Sequence, residues 1–108
     1  MPNFLVQVAL NQEAWSTLVK SPQNRLEAVR PAIERLNGKL VNGYFAFGDY
    51  DLVCITEFPD NVSAAAIAIA FAGGGACKSV KTTPLLTSAE ALEAMKKAST
   101  SGYRAATA

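Results

Sequence analysis

The stretch Gly43–Phe58, GYFAFGDYDLVCITEF, reads as two β-strands joined by the tight polar turn Gly48-Asp49-Tyr50-Asp51. A short glycine-bearing turn between two apolar runs predicts an antiparallel hairpin. The first strand extends back to Lys39, giving Lys39–Phe47, and the second covers Asp51–Phe58. Pro59-Asp60 closes the second strand, since proline cannot donate to a ladder and an aspartate is suited to cap a following helix.

Towards the N-terminus, Phe4–Leu10 is apolar on both parities with Gln7 as its one polar residue, the pattern of a central strand covered on both faces. Asn11 is placed to cap a helix carrying Ala14, Trp15, Leu18 and Val19 as an apolar stripe, with Trp15 read as core. Ser21-Pro22 is read as a restart, serine as cap and proline at the first helical position. Leu26, Val29, Ile33 and Leu36 then repeat at helical spacing, Arg30 is expected to pair with Glu34, and Pro31 is expected to kink the helix. Asn37-Gly38 is a C-terminal stop.

Towards the C-terminus, Asp60 is expected to cap a helix reaching about Ala72, with Val62, Ile67, Ala70 and Phe71 on its buried side and Gly73-Gly74-Gly75 ending it. Those glycines are out of register with Lys78-Ser79 for a phosphate loop and lie between helix and strand, so they read as a helix end and a connection. Cys77–Thr83 reads as a fourth, edge strand bearing exposed lysines. Thr87-Ser88-Ala89-Glu90 is a capping box. It opens a last helix with Leu92 and Met95 on one face and Lys96 and Lys97 where the dipole favours cations. Residues 1–98 form one domain in this reading, and 99–108, small and polar, form a flexible tail.

The order β-α-β-β-α-β with an added C-terminal helix is that of the ferredoxin-like α+β sandwich, in which the helices cover one face of a four-stranded sheet. Strand parity assigns Phe4, Val6, Val8, Val41, Phe45, Phe47, Cys54 and Val80 to the helix-covered face. The opposite face takes Leu5, Gln7, Ala9, Leu40, Asn42, Tyr44, Ala46, Val53, Ile55, Glu57 and Lys81. That face is too apolar to leave in water. A second copy, sheet to sheet, would cover it and give a dimeric α/β barrel, alone or within a higher oligomer.

The chain has 108 residues, ten Lys and Arg against nine Asp and Glu, and no histidine. One compact domain is implied. No basic stripe of the kind that nucleic acid requires appears, and no apolar run spans a bilayer, so a cytoplasmic location is expected. Without histidine no Ser-His or Cys-His nucleophile can be built, and His-ligated haem and the common zinc centres are ruled out. No cofactor and no metal site is expected; a hard cation on Asp49, Asp51 and Glu57 has no loop motif behind it. The two cysteines are expected to be reduced, Cys54 as a core residue and Cys77 as the more exposed one.

The segment Gly48-Asp49-Tyr50-Asp51 followed by Leu52-Val53 resembles the signature of the GYD domain family, small bacterial proteins of largely unassigned function. The motif residues map to Gly48, Tyr50 and Asp51. The resemblance extends through Arg25-Leu26-Glu27-Ala28, Lys39-Leu40, the alanine-rich helix and Thr83-Pro84, or roughly residues 3–97. The family is similar to dimeric α/β-barrel proteins, so the resemblance implies the same fold and no agreed substrate.

Two readings of the motif stand side by side. Gly48, Tyr50 and Asp51 fit turn chemistry, with aspartate bonding nearby amides; alternatively Asp51 is a base or ligand acceptor at the barrel end. Gln7, Asn42, Tyr44, Glu57 and Lys81 are the ligand-binding candidates, polar groups on a largely apolar concave face, where a Glu–Lys pair could do acid–base work. The expected function is a homodimeric barrel that binds a small, partly apolar molecule between its sheets. The alternatives are a cofactor-independent isomerase or monooxygenase with Glu57 or Asp51 as base, and an assembly module without ligand.

Overall fold

The structure is a computed structural model that describes residues 1–106. The chain runs β1 (Asn3–Leu10), α1 (Gln12–Lys20), α2 (Arg25–Arg35), β2 (Lys39–Phe45), β3 (Leu52–Glu57), α3 (Asn61–Gly73), β4 (Cys77–Leu85) and α4 (Ser88–Ser99). One antiparallel sheet has the order β2-β3-β1-β4, so β1 and β3 are central and β2 and β4 are edges. This is the ferredoxin-like α+β arrangement. β4 passes through Pro84, which an edge strand tolerates.

Alternation in β1 and β3 builds the core. Phe4, Val6, Val8 and Leu10 from β1 meet Leu52 and Cys54 from β3, and Phe58 follows directly. Phe58 is fully buried and meets the Phe4 ring edge-on at a centroid distance of 6.1 Å. Thr56 is the buried polar side chain of this layer; its hydroxyl donates to the Phe4 carbonyl at 3.3 Å. From above, α2 contributes Ile33, with Leu26, Val29 and Leu36 partly buried, and α3 contributes Ala64 and Ile67.

Local chemistry sets the element ends. The Asn11 side chain accepts from the Ala14 amide at 2.8 Å to open α1, and the Asp60 carboxylate accepts from the Ser63 amide at 2.8 Å to open α3. Thr87 and Glu90 bond reciprocally in a capping box that opens α4. Asn37 takes the left-handed conformation after α2, with φ of 61°. Gly43 and Gly38 mark close approaches: Leu26 of α2 lies over Gly43, and the Phe58 ring over Gly38.

Several expectations are corrected. The second helix begins at Arg25, capped by Asn24, and not at Ser21-Pro22. Ser21 instead closes α1, its amide donating to the Thr17 carbonyl at 2.9 Å, while the Asn24 side chain accepts the Leu26 and Glu27 amides that open α2. Arg30 pairs with Glu27 at 3.1 Å, not with Glu34. Trp15 is 39% exposed and outside the core; only Ala14 and Leu18 of α1 reach the core cluster. Val62, expected on the buried side of α3, is 79% exposed.

The largest correction concerns β2. Its register on β3 slips between Leu40 and Asn42, so Val41 is an extra residue, a β-bulge. Leu40 therefore turns to the helices and is buried, while Val41, without a partner on β3, is 39% exposed. Phe45 stands opposite Leu52 but is 50% exposed, and Phe47 lies beyond the strand in full exposure. Strict two-residue alternation had placed Leu40 on the open face and Val41 and Phe47 under the helices.

α4 stands apart from this sandwich. Ala91 is half-buried, every other residue of α4 is exposed, and among the described residues the helix has no substantial packing against another element. The radius of gyration is 17.2 Å, against about 13 Å for a compact chain of this length. The segment after α4 is irregular and exposed as far as residue 106. The last two residues of the expected tail lie outside the described residues.

Candidate functional site

The sheet face away from α2 and α3 is built in three rows, each crossing all four strands. The first is Tyr44, Val53, Gln7 and Lys81; the second Asn42, Ile55, Leu5 and Thr83; the third Lys39, Glu57, Asn3 and Leu85. Leu5, Val53 and Ile55 form an apolar floor, half-buried by their own neighbours. Polar groups stand at its margins. Asn42 and Tyr44 rise from β2, with Tyr44 63% exposed; Gln7 lies beside the exposed Lys81 towards β4. All five expected ligand-binding residues lie on this one face.

They do not form one cluster. Gln7 and Lys81 are directly opposite on adjacent strands. Glu57 is opposite Asn3, four residues along β1 from Gln7, or about 13 Å at the strand rise. The supposed Glu57–Lys81 acid–base pair is therefore not assembled. The cross-strand neighbour of Glu57 on β2 is Lys39. Lys39, Asn3 and Thr83 complete the face and were not among the expected site residues. Asn3 shares the parity of Gln7 and Thr83 that of Lys81, whereas the bulge at Val41 hides Lys39 from a simple parity reading.

The hairpin motif is a structural knot. The Asp51 carboxylate accepts the Leu10 amide at 2.8 Å. The Asp51 amide donates to the Val8 carbonyl, and the Asp51 carbonyl accepts from the Ala46 amide, each at 2.8 Å. One residue thus ties the turn to β1 on one side and to the outgoing end of β2 on the other. Gly48 is exposed with open space where a side chain would stand, and Tyr50 is half-buried. Asp51 and Glu57 are six residues apart on an extended segment, about 20 Å, so they cannot share a proton or an ion. Among the described residues no group of three or more His, Cys, Asp or Glu side chains could hold a metal ion.

Both thiols are held in the neutral form. Burial pushes the Cys54 thiol above its ordinary pKa. Burial also raises Cys77, with the nearby Arg25 guanidinium pulling weakly the other way. Neither has the depressed pKa of a nucleophilic cysteine. A shallow cleft of about 300 Å³ runs beside Cys77 between α2 and α3, lined largely by Ala28, Val29, Ala32, Ile67 and Phe71.

Comparison with known proteins gives three findings. The GYD domain matches residues 4–95. A protein of Thermus thermophilus, "Glutamine synthetase and cystathionine beta-lyase binding protein", is 33% identical over 81 residues, covering 74% of this chain and 84% of that protein. The crystal structure of MtbAldR superposes with a TM-score of 0.57 at 15% identity, covering 80% of this chain. The chain spans about half (53%) of that structure, and the likeness concerns the fold alone. No helix among the described residues is long and apolar enough to cross a membrane.

Proposed function

The chain belongs to the GYD domain family, and from that premise we propose that it works as a cytoplasmic homodimer, its open sheets face to face, holding a small, partly apolar molecule between them. The row Tyr44, Val53, Gln7 and Lys81 carries this reading. An apolar floor with hydrogen-bonding groups at two margins suits a molecule with a flat hydrocarbon body and an acceptor or anionic end. Gln7 and Lys81 would hold that end, and Asn42 and Tyr44 the other. The isomerase or monooxygenase alternative needs a free carboxylate near the floor. Asp51 has its carboxylate engaged by Leu10, and Glu57 stands in the corner row beside Lys39.

The test is native mass spectrometry of full-length protein purified from its own host, under gentle and then denaturing conditions. A dimer with extra mass released on denaturation is expected, and Lys81→Glu should abolish that mass while leaving the dimer. A monomer, or a dimer whose bound mass is indifferent to Gln7 and Lys81, would overturn the reading.

A second reading is favoured by the Thermus thermophilus relative, whose printed name is that of a protein that binds two enzymes. Here the module would bind a metabolic enzyme through surfaces the dimer leaves free. Interferometry with purified glutamine synthetase and cystathionine β-lyase tests it; saturable binding is expected, and a flat response to both refutes it.

A further inference from the structure

We propose that the hollow between α2 and α3 binds a small carboxylic acid with an apolar body, its carboxylate held by Arg25 and its body lying against Val29, Ala32 and Phe71. This site is on the helix side of the sheet, away from the open face, and does not depend on the sheet-to-sheet dimer.

Three observations lead there. First, Arg25 is a half-buried cation without an anion to answer it. Among the described residues the ion pairs are Arg30 with Glu27 and Lys97 with Glu93, so the carboxylate two residues along its own helix is engaged by Arg30. The Arg25 guanidinium has one neutral acceptor, the Gln23 side-chain oxygen, at 3.3 Å. A guanidinium carries five N–H donors in a planar fork that fits both oxygens of a carboxylate, and such charge-assisted bonds are about 2.7–2.9 Å long. The Gln23 contact is single and longer, so a carboxylate displaces it at a gain.

Second, this cation stands where three hollows meet. The α2–α3 hollow of about 300 Å³ has Arg25, Gly74, Ala76 and Cys77 at one end. The guanidinium is near enough to the Cys77 thiol to draw its pKa down against the effect of burial. On its other side a hollow of about 240 Å³ is walled by Leu10, Ala14 and Leu18. Towards the sheet a gap of about 40 Å³ opens onto Val8, Leu52 and Cys54 of the core. Hydrocarbon on so many sides lowers the local dielectric, and an anion brought to the guanidinium there is held more strongly than in water. Pockets for drug-sized ligands run to about 300–1,000 Å³, so a hollow of this size selects a smaller molecule.

Third, the walls are apolar and held in place. Val29 and Phe71 pack against the core cluster, and Ile67 belongs to it. The small side chains of Ala28, Ala32 and Ala70 between them leave the space open. At the Arg25 end the connection after α3 is pinned: the Asn11 amide donates to the Ala76 carbonyl at 2.9 Å and the Asn11 side-chain NH₂ to the Gly75 carbonyl at 2.6 Å. The same side chain caps α1, so one asparagine fixes both α1 and the Gly75–Ala76 segment around the guanidinium. Among the described residues no acidic side chain lines the hollow, and nothing there repels an anion.

The experiment is a proton–nitrogen correlation NMR titration of the full chain with phenylacetate and, as its neutral isostere, phenylacetamide. It is repeated on Arg25→Gln, on Ala28→Leu, which fills the hollow and keeps the arginine, and on Arg30→Gln as the control. Phenylacetate is expected to shift the Val29, Phe71, Ala76 and Cys77 amides saturably and to bind at least ~10-fold more tightly than phenylacetamide. Arg25→Gln should erase that preference, Ala28→Leu should weaken both probes, and Arg30→Gln should change neither. Phenylacetate that shifts no amide, that binds no better than phenylacetamide, or that binds the Arg25→Gln chain as it binds the parent overturns the site. The comparison of the two probes needs only the parent chain, so it decides the matter even where a variant fails to fold. Shifts confined to Leu5, Val53 and Ile55 overturn it too and place the ligand on the open face instead.

Discussion

Replacing Asp51 by alanine separates the two readings of the hairpin motif. The β1–β3 register is continuous as far as Val8 opposite Leu52. Beyond it, Leu10 is 7% exposed, and its amide is satisfied by the Asp51 carboxylate at 2.8 Å. Alanine removes that acceptor and leaves a mostly buried N–H without a partner. A bond to a charged group contributes about 1.5–3 kcal/mol, and an orphaned buried donor costs about 1–3 kcal/mol. Taking about 2 kcal/mol, the melting temperature should fall by roughly 8–16 °C for a domain of this size. Asp51→Asn keeps an oxygen in reach of the Leu10 amide and gives up only the charge, so it should recover more than half of the loss. The assay is urea and thermal unfolding by far-UV circular dichroism at one fixed protein concentration, since a dimer's midpoint depends on concentration. A structural tie predicts alanine as the worst variant and asparagine as intermediate. An Asp51→Ala protein as stable as the parent, or asparagine as damaging as alanine, would refute the tie and return Asp51 to the list of candidate bases.

Three further outcomes follow from particular contacts. Gly38→Ala puts a methyl carbon 2.5 Å from one carbon of the fully buried Phe58 ring and 2.9 Å from the Glu57 carbonyl oxygen, so thermal unfolding should show a loss of about 1–3 kcal/mol; an unchanged midpoint would mean that the ring has room to move. Among the described residues the buried Thr82 hydroxyl has no hydrogen-bond partner, so Thr82→Val should stabilise by about 1 kcal/mol, and destabilisation in the same melts would show that the hydroxyl is satisfied. The bond from the Ser63 amide holds the Asp60 carboxyl below its ordinary pKa. Because the folded value is the lower one, this contribution is present above the unfolded pKa, about 3.9, and is lost as the pH falls from there through the folded value. Asp60→Asn should flatten that part of a stability–pH profile, and a slope identical to the parent's would refute the assignment.

Much of the architecture was legible because local signals and tertiary demands coincide. The apolar runs Phe4–Leu10 and Asp51–Phe58 that become the central strands, the caps at Asn11 and Asp60, and the Thr87–Glu90 box are readable from the sequence, and each forms as expected. Three features were not legible. Asn24 and Ser21 are both capping types, and residue type alone does not say that the Asn24 side chain is the one that accepts the first amides of α2. The stripe of Trp15 and Val19 has the right spacing for burial, but α1 lies at the margin of the sandwich and only Ala14 and Leu18 reach the core. The bulge at Val41 carries no signal in composition, yet it moves Leu40 to the covered face. For the candidate site, the five polar residues could be assigned to one face from parity alone. Their division into rows could not, because it depends on the register of four strands, and it is the rows that separate Glu57 from Lys81.

The two functional readings use different surfaces, so they do not compete for the same residues. If the open faces pair, Leu5, Val53 and Ile55 and the polar margins around them are sealed inside, and any ligand there is seen only by the two copies. What remains outside is the helix layer and the hairpin end, where Val62 (79%), Ile69 (70%) and Phe47 (fully exposed) are large apolar side chains without cover. The hairpin is the one segment that belongs to both surfaces. Phe47 projects from it, and Asp51 at its base is tied through Leu10 and Val8 to β1, the strand that carries Gln7.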